Sequence, residues 1–141
     1  MNSYEYWSYV LGLIQQSLYA EQMVCSMSTQ LFVIPETKDL EGNPEMHEHL
    51  EEAAYHRVTA AGSTTRLQLG EFHESIIIIL NECVQKSLEH DKDVRKWLDV
   101  MKDNAPENYK QFLQQIIVWQ EQTNYYLKMA QSVITQQTVN Q

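Results

Sequence analysis

The stretch WSYVLGLIQQSLYAEQMVC, residues 7–25, decides how this chain folds. Its apolar residues recur at intervals of three and four, the spacing that places side chains on one face of an α-helix. The pattern continues in both directions and predicts one long helix from residue 3 to about residue 32, with Ser3 as its N-cap. The positions that carry the pattern are Trp7, Val10, Leu11, Ile14, Leu18, Cys25 and Phe32.

The rest of the chain repeats this helical pattern between a few breakers. The segment VIPETKDLEGNP, residues 33–44, holds two of the three prolines and predicts a loop. A second helix is expected to begin at Asn43 and Pro44 and to end near residue 61, where AGSTT suggests a break. The remaining predicted helices cover about residues 64–90, 93–103 and 106–137, and the chain end from about 137 to 141 is expected to fray.

These segments predict an all-α fold, an antiparallel bundle of four to five helices that includes two long helices of about 30 residues. We expect residues 1–141 to form a single domain, because 141 residues with 43% hydrophobic content supply one core. The run IIIIL, residues 76–80, favours a strand by propensity, but the helical spacing on both sides of it favours a helix. One unbroken helix over residues 44–90, in an elongated three-helix protein, is the alternative.

The charge balance narrows the classes of partner. The chain carries 19 acidic and 10 basic residues, which gives a formal net charge of −9. A surface of this sign is unsuited to nucleic acid or to an anionic membrane, so neither is an expected partner. It is suited to a protein partner, and a basic surface would be complementary.

Sequence features also bear on the compartment. Cys25 and Cys83 match no zinc-binding or redox spacing and are expected to be reduced thiols, with a disulfide between them as the weaker alternative. The N-terminal residues lack the basic region and the cleavage site of a signal peptide. We therefore expect a cytoplasmic protein.

The segment EMHEHLEEAAYH, residues 45–56, contains three of the five histidines. On a helix, His49, Glu52 and His56 fall on one flank, a geometry that one divalent transition metal ion could use with further ligands from another helix. The sequence contains neither Glu-x-x-His nor His-Glu-x-x-His. The favoured interpretation is therefore a solvated flank and no cofactor.

Polar residues also interrupt the apolar faces. Glu21 lies within the apolar face of the first helix, Arg57 within that of the second, and His73 lies close to the apolar face of the third. Because an unpaired buried charge is costly, Glu21 is predicted to pair with Arg57 or His73. A structural polar layer is the favoured interpretation, and a catalytic acid/base pair of Glu21 and His73 is the alternative.

Two segments of the chain contain so many aromatic residues that, on a helix, they cannot all face one core. Tyr4, Trp7, Tyr9, Tyr125 and Tyr126 are the candidate partner-binding residues, since Tyr and Trp are common binding anchors. No phosphate-binding loop or Gly-x-Ser-x-Gly motif is present, so no catalytic residue is assigned. We expect a non-enzymatic inhibitor, immunity-type or adaptor protein that binds another protein or a second copy of itself. A metal-binding or catalytic bundle is the alternative.

Overall fold

Four helices account for nearly all of the chain in the computed structural model, which describes residues 2–139 and the side chains of residues 2–136. They are α1 (Ser3–Val33), α2 (Asn43–Gln68), α3 (Glu74–Asn104) and α4 (Glu107–Val139). No strand occurs within residues 2–139. Three of these helices exceed 30 residues, where the sequence predicted two of about that length.

The helices form an antiparallel bundle in which each packs against two neighbours, α1 against α2 and α4, and α3 against α2 and α4. Cross-helix hydrogen bonds give the relative directions. Ser17 bonds to Thr123, and Tyr6 bonds to the carbonyl of Val133, so α1 and α4 run in opposite directions. The predicted all-α antiparallel bundle is confirmed. Over residues 2–139, no helix has both the length and the apolar character needed to cross a bilayer.

The break predicted at residues 61–65 is wrong, because α2 continues through it to Gln68. A single glycine such as Gly62 costs a helix only about 1 kcal/mol. The hydroxyls of Thr64 and Thr65 donate to the carbonyls one turn earlier, so both side chains are satisfied within the helix. The chain turns instead after Gln68, where Gly70 adopts a φ of 96°.

The predicted division of α3 is also wrong. One helix runs from Glu74 to Asn104, where separate helices at 64–90 and 93–103 were expected. Asp91 and Lys92 join the two segments and are no helix breakers, and the inward-facing pattern continues with Val94 and Leu98. The alternative of one helix over 44–90 fails as well, because residues 69–73 form the turn between α2 and α3.

Both helix-start predictions are corrected by the side-chain contacts. Asn2, not Ser3, caps α1: its side chain accepts a hydrogen bond from the Glu5 amide at 2.8 Å. Asn43 is buried, and its side chain binds the end of α1 and the loop rather than the start of α2, donating to the carbonyls of Leu31 and Lys38. At the other end, α4 continues to Val139, and residues 140 and 141 of the expected frayed end lie outside the described residues.

The core consists of two apolar clusters, one toward each end of the bundle, with a polar layer between them. One cluster contains Trp7 and Ile14 of α1, and the other contains Val24 and Leu31 of the same helix. Burial of this apolar surface is the main stabilising contribution. The buried polar residues that lie at the level between the clusters are Ser17, Glu21, Arg57, Asp91, Gln120 and Thr123.

Two glycine substitutions test the corrected course of α2. An added Cβ at Gly62 meets nothing within 4 Å, so Gly62→Ala should raise the free energy of unfolding by about 0.5–1 kcal/mol. Gly70→Ala is the matched control: its φ of 96° disfavours any Cβ, so we expect a loss of about 1–2 kcal/mol. Urea unfolding monitored by circular dichroism measures both, and a destabilising Gly62→Ala would contradict a continuous α2.

Candidate functional site

Arg57 lies at the centre of the bundle with its side chain completely buried. Its guanidinium donates one hydrogen bond to the carboxylate of Glu21 on α1 and another to that of Asp91 on α3. The two carboxylate residues are only 3% and 2% exposed. The predicted pairing of Glu21 with Arg57 is confirmed, and Asp91 is a second partner that the sequence analysis did not identify.

The fourth helix completes this polar layer. The side-chain amide of Gln120 donates to the main-chain carbonyl of Asp91, and that of Asn124 donates to the Asp91 carboxylate, each at 3.4 Å. Where α4 faces α1, the Ser17 hydroxyl donates to the carbonyl of Thr123 at 2.6 Å. Hydrogen bonds of the layer therefore connect all four helices, which is how a buried polar network fixes the register of a bundle.

The layer is not fully paired. Arg57 Nε, Asp91 Oδ1 and Gln120 Oε1 are buried and have no hydrogen-bond partner in the part of the protein that the structure describes. One guanidinium also faces two carboxylates, those of Glu21 and Asp91. Unpaired buried polar atoms are uncommon and costly, so each is a position that a water molecule or another polar group would satisfy.

Glu21 and His73 are not brought together. His73 is the exposed residue that precedes α3, whereas Glu21 is buried in the layer. The alternative acid/base pair is therefore not assembled. The two cysteines are free, and burial is the main cause that raises the pKa of each thiol. A raised pKa keeps a thiol protonated at neutral pH and therefore unreactive.

A group of histidines lies on the outer side of the same level, between α2 and α3. His49 Nδ1 is 3.0 Å from His90 Nδ1 and 3.7 Å from Asp93 Oδ2. These three side chains, all partly buried, offer ligand atoms within 4.8 Å of one another. Two imidazoles and a carboxylate at this separation are a set that a first-row transition metal ion can use.

A second group shares His90 and continues along α2. Glu52, His56 and His90 also present ligand atoms within 4.8 Å of one another, and the rings of His56 and His90 are stacked at 6.0 Å. The Nδ1 atom of His56 is buried without a hydrogen-bond partner among the described residues. Burial, followed by the nearby Lys86 and His90, lowers the pKa of His56, which favours the neutral imidazole that binds metals.

The three candidate metal ligands that the sequence analysis identified thus belong to two different groups in the structure. His49 belongs to the first, and Glu52 and His56 belong to the second. Their flank is not simply solvated as expected, because the side chains of His49 and His56 are only 30% and 15% exposed. His90 and Asp93 were missed. Their spacing of three places both on one side of α3, and this was the signal available in the sequence.

The five candidate partner-binding aromatics lie in different environments. Tyr4, Tyr9 and Tyr125 are exposed, and Tyr126 is partly buried against the apolar core. Trp7 is 7% exposed and belongs to the core itself. A buried side chain does not contact a partner, so Trp7 is corrected to a core residue.

Comparison of the chain with family models, curated proteins and solved structures finds no significant match.

Removal of Arg57 tests the polar layer. Arg57→Met should lower the free energy of unfolding by about 3–5 kcal/mol, because Glu21 and Asp91 would remain buried without their cation. The combined change with Glu21→Leu and Asp91→Leu should recover most of that loss, since apolar side chains can replace a buried ion network. Urea unfolding of both variants gives the measurement.

Arg66→Met serves as the matched control for this prediction. Arg66 is on the same helix but is 55% exposed and pairs with the exposed Glu71. Its replacement should change the free energy of unfolding by no more than about 1 kcal/mol. Equal effects of the Arg57 and Arg66 substitutions would show that the buried network contributes no more than a surface ion pair.

Proposed function

We propose that this protein binds one divalent transition metal ion between α2 and α3. The ligands are His49, His90 and Asp93, with Glu52 and His56 beside them. The observation that carries the proposal is the 3.0 Å approach of His49 Nδ1 to His90 Nδ1 with the Asp93 carboxylate adjacent. This geometry gives weight to the metal alternative, which the sequence alone made secondary.

The spacing of the donor atoms fits an ion of this class. Metal–nitrogen bonds of about 2.0–2.1 Å at a tetrahedral angle place two ligand nitrogens about 3.3 Å apart. The observed 3.0 Å also fits a hydrogen bond in which one ring nitrogen donates to the other. A bound ion would displace that proton, which would move to the Nε2 atom of the same ring, so that both rings bind through Nδ1 as neutral imidazoles. Imidazole with carboxylate favours zinc, nickel, iron or copper over magnesium or calcium.

The position of the site defines what an ion would do there. Asp93 and Glu52 are about half exposed, so an ion would keep water on its outer side. On the inner side, His90 and His49 join two different helices, and the ion would crosslink α2 to α3. A ligand that binds only the folded chain stabilises it, so a bound metal ion should raise the free energy of unfolding.

Titration of untagged protein with Zn²⁺ or Co²⁺ tests the proposal. Isothermal titration calorimetry should show one ion per chain, and bound Co²⁺ should show the visible absorption of a protein-ligated ion. His49→Ala and His90→Ala should each weaken binding at least about tenfold, or about 1.4 kcal/mol. His73→Ala is the control, because His73 is an exposed histidine outside the cluster and should leave binding unchanged.

Substitution of the two carboxylates shows which of the two residue clusters holds the ion. Asp93→Asn should weaken binding more than Glu52→Gln if His49 and His90 are the main ligands. The reverse order would place the ion at His56 and His90. Binding that survives the loss of both His49 and His90 would contradict the proposal altogether.

A second function, binding of another protein, is supported by the exposure of Tyr4, Tyr9 and Tyr125 together with the net charge of −9. The partner would be a basic protein or a second copy of the chain, and the protein would act as an inhibitor or adaptor. Self-association should appear as a dimer mass in light scattering that is lost in Tyr9→Ser with Tyr125→Ser. Tyr55→Ser, another exposed tyrosine, is the control.

A further inference from the structure

A pocket of about 190 Å³ opens between α3 and α4, across the bundle level from the histidines. It is lined by Asp91, Lys92, Arg95, Gln120, Glu121 and Asn124. At about 30 Å³ per molecule of liquid water, this volume corresponds to about six waters. A small polar compound of a few heavy atoms therefore fits it.

Two of the residues that line the pocket carry buried acceptor atoms. Asp91 and Gln120 are each 2% exposed, and each has one buried side-chain oxygen without a donor among the described residues. The carboxylate of Asp91 also shares the single cation of the layer, Arg57, with Glu21. Both features favour a positively charged hydrogen-bond donor at this end.

The outer side of the pocket carries one unpaired cation. Lys92 is exposed and forms no ion pair with any residue that the structure describes. The neighbouring Arg95 is held in place by Glu121 at 2.6 Å and by Asp99 at 3.1 Å. Lys92 is therefore the free cation at the mouth, and an anionic group there would be attracted to it.

From this order of charges we infer that the pocket binds a small zwitterion of the amino-acid class. Its ammonium group donates to Asp91 Oδ1 and Gln120 Oε1 after a small shift of these buried atoms, and its carboxylate faces Lys92. A simple ammonium ion leaves Lys92 unpaired, and a simple carboxylate leaves the two inner oxygens without donors. The inference is independent of the metal site, since it uses none of the proposed ligands.

Three small probes separate these possibilities. L-Alanine carries both charged groups, ethylammonium lacks the carboxylate, and propionate lacks the ammonium. The side-chain amide signals of Gln120 and Asn124 in nuclear magnetic resonance spectra report directly on the pocket. This readout is preferred to a melting temperature, because osmolytes stabilise proteins without binding at a site. We expect saturable shifts with L-alanine at concentrations at least about tenfold lower than with either analogue.

Substitutions on the two sides of the pocket complete the test. Lys92→Gln should weaken L-alanine binding several-fold and should not weaken ethylammonium binding, while Gln120→Met should abolish the shift of the Asn124 amide signal with both probes. Lys38→Gln, a change of an exposed lysine in the loop before α2, should have no effect. The inference is overturned if ethylammonium binds as well as L-alanine, if Lys92→Gln has no effect on L-alanine, or if no probe shifts the two amide signals.

Discussion

The structure depends on one buried arginine. Arg57 has no access to solvent, and the charge of its guanidinium must be balanced inside the bundle, which Glu21 and Asp91 do from the two neighbouring helices. Because a misplaced helix would leave a buried charge unpaired, this contact sets the register of α1, α2 and α3. The hydrogen bonds of Gln120 extend the constraint to α4. The apolar clusters on either side supply most of the stability but tolerate small shifts more readily, because apolar contacts have no direction.

The same layer explains why the chemically distinctive groups lie at one level of the bundle. Successive residues of a helix point about 100° apart, so an inward residue has neighbours on the flanks. His56 precedes Arg57 and His90 precedes Asp91, so alignment of the charged residues also aligns the histidines between α2 and α3. On the other side of Asp91, the pocket opens toward α4. The proposed metal site and the proposed zwitterion site are thus two sides of one polar level.

Local sequence predicted the helices better than their ends. The three- and four-residue spacing identified helical structure throughout, including the isoleucines at 76–79 that favour a strand by propensity. It failed at residues 61–65, where AGSTT was taken as a break, and near residue 91, where two separate helices were expected. Those residues cost a helix little, and the packing of α2 and α3 along their whole length compensates for that cost. Exposure was also misjudged at the end of the first helix, where Phe32 was assigned to the apolar pattern but is exposed.

The sequence by itself determined the all-helical class, the long first helix and the need for Glu21 to pair with a cation. Each of these follows from the positions of residues around a single helix. It also placed His49, Glu52 and His56 on one flank. Only the tertiary structure decided that Arg57 takes a second carboxylate from Asp91, that His73 lies far from Glu21 in the fold's exposed turn, and that His90 meets His49. His49 and His90 are 41 positions apart in the sequence. No local pattern encodes such a contact, since it arises from the way one helix face packs against another.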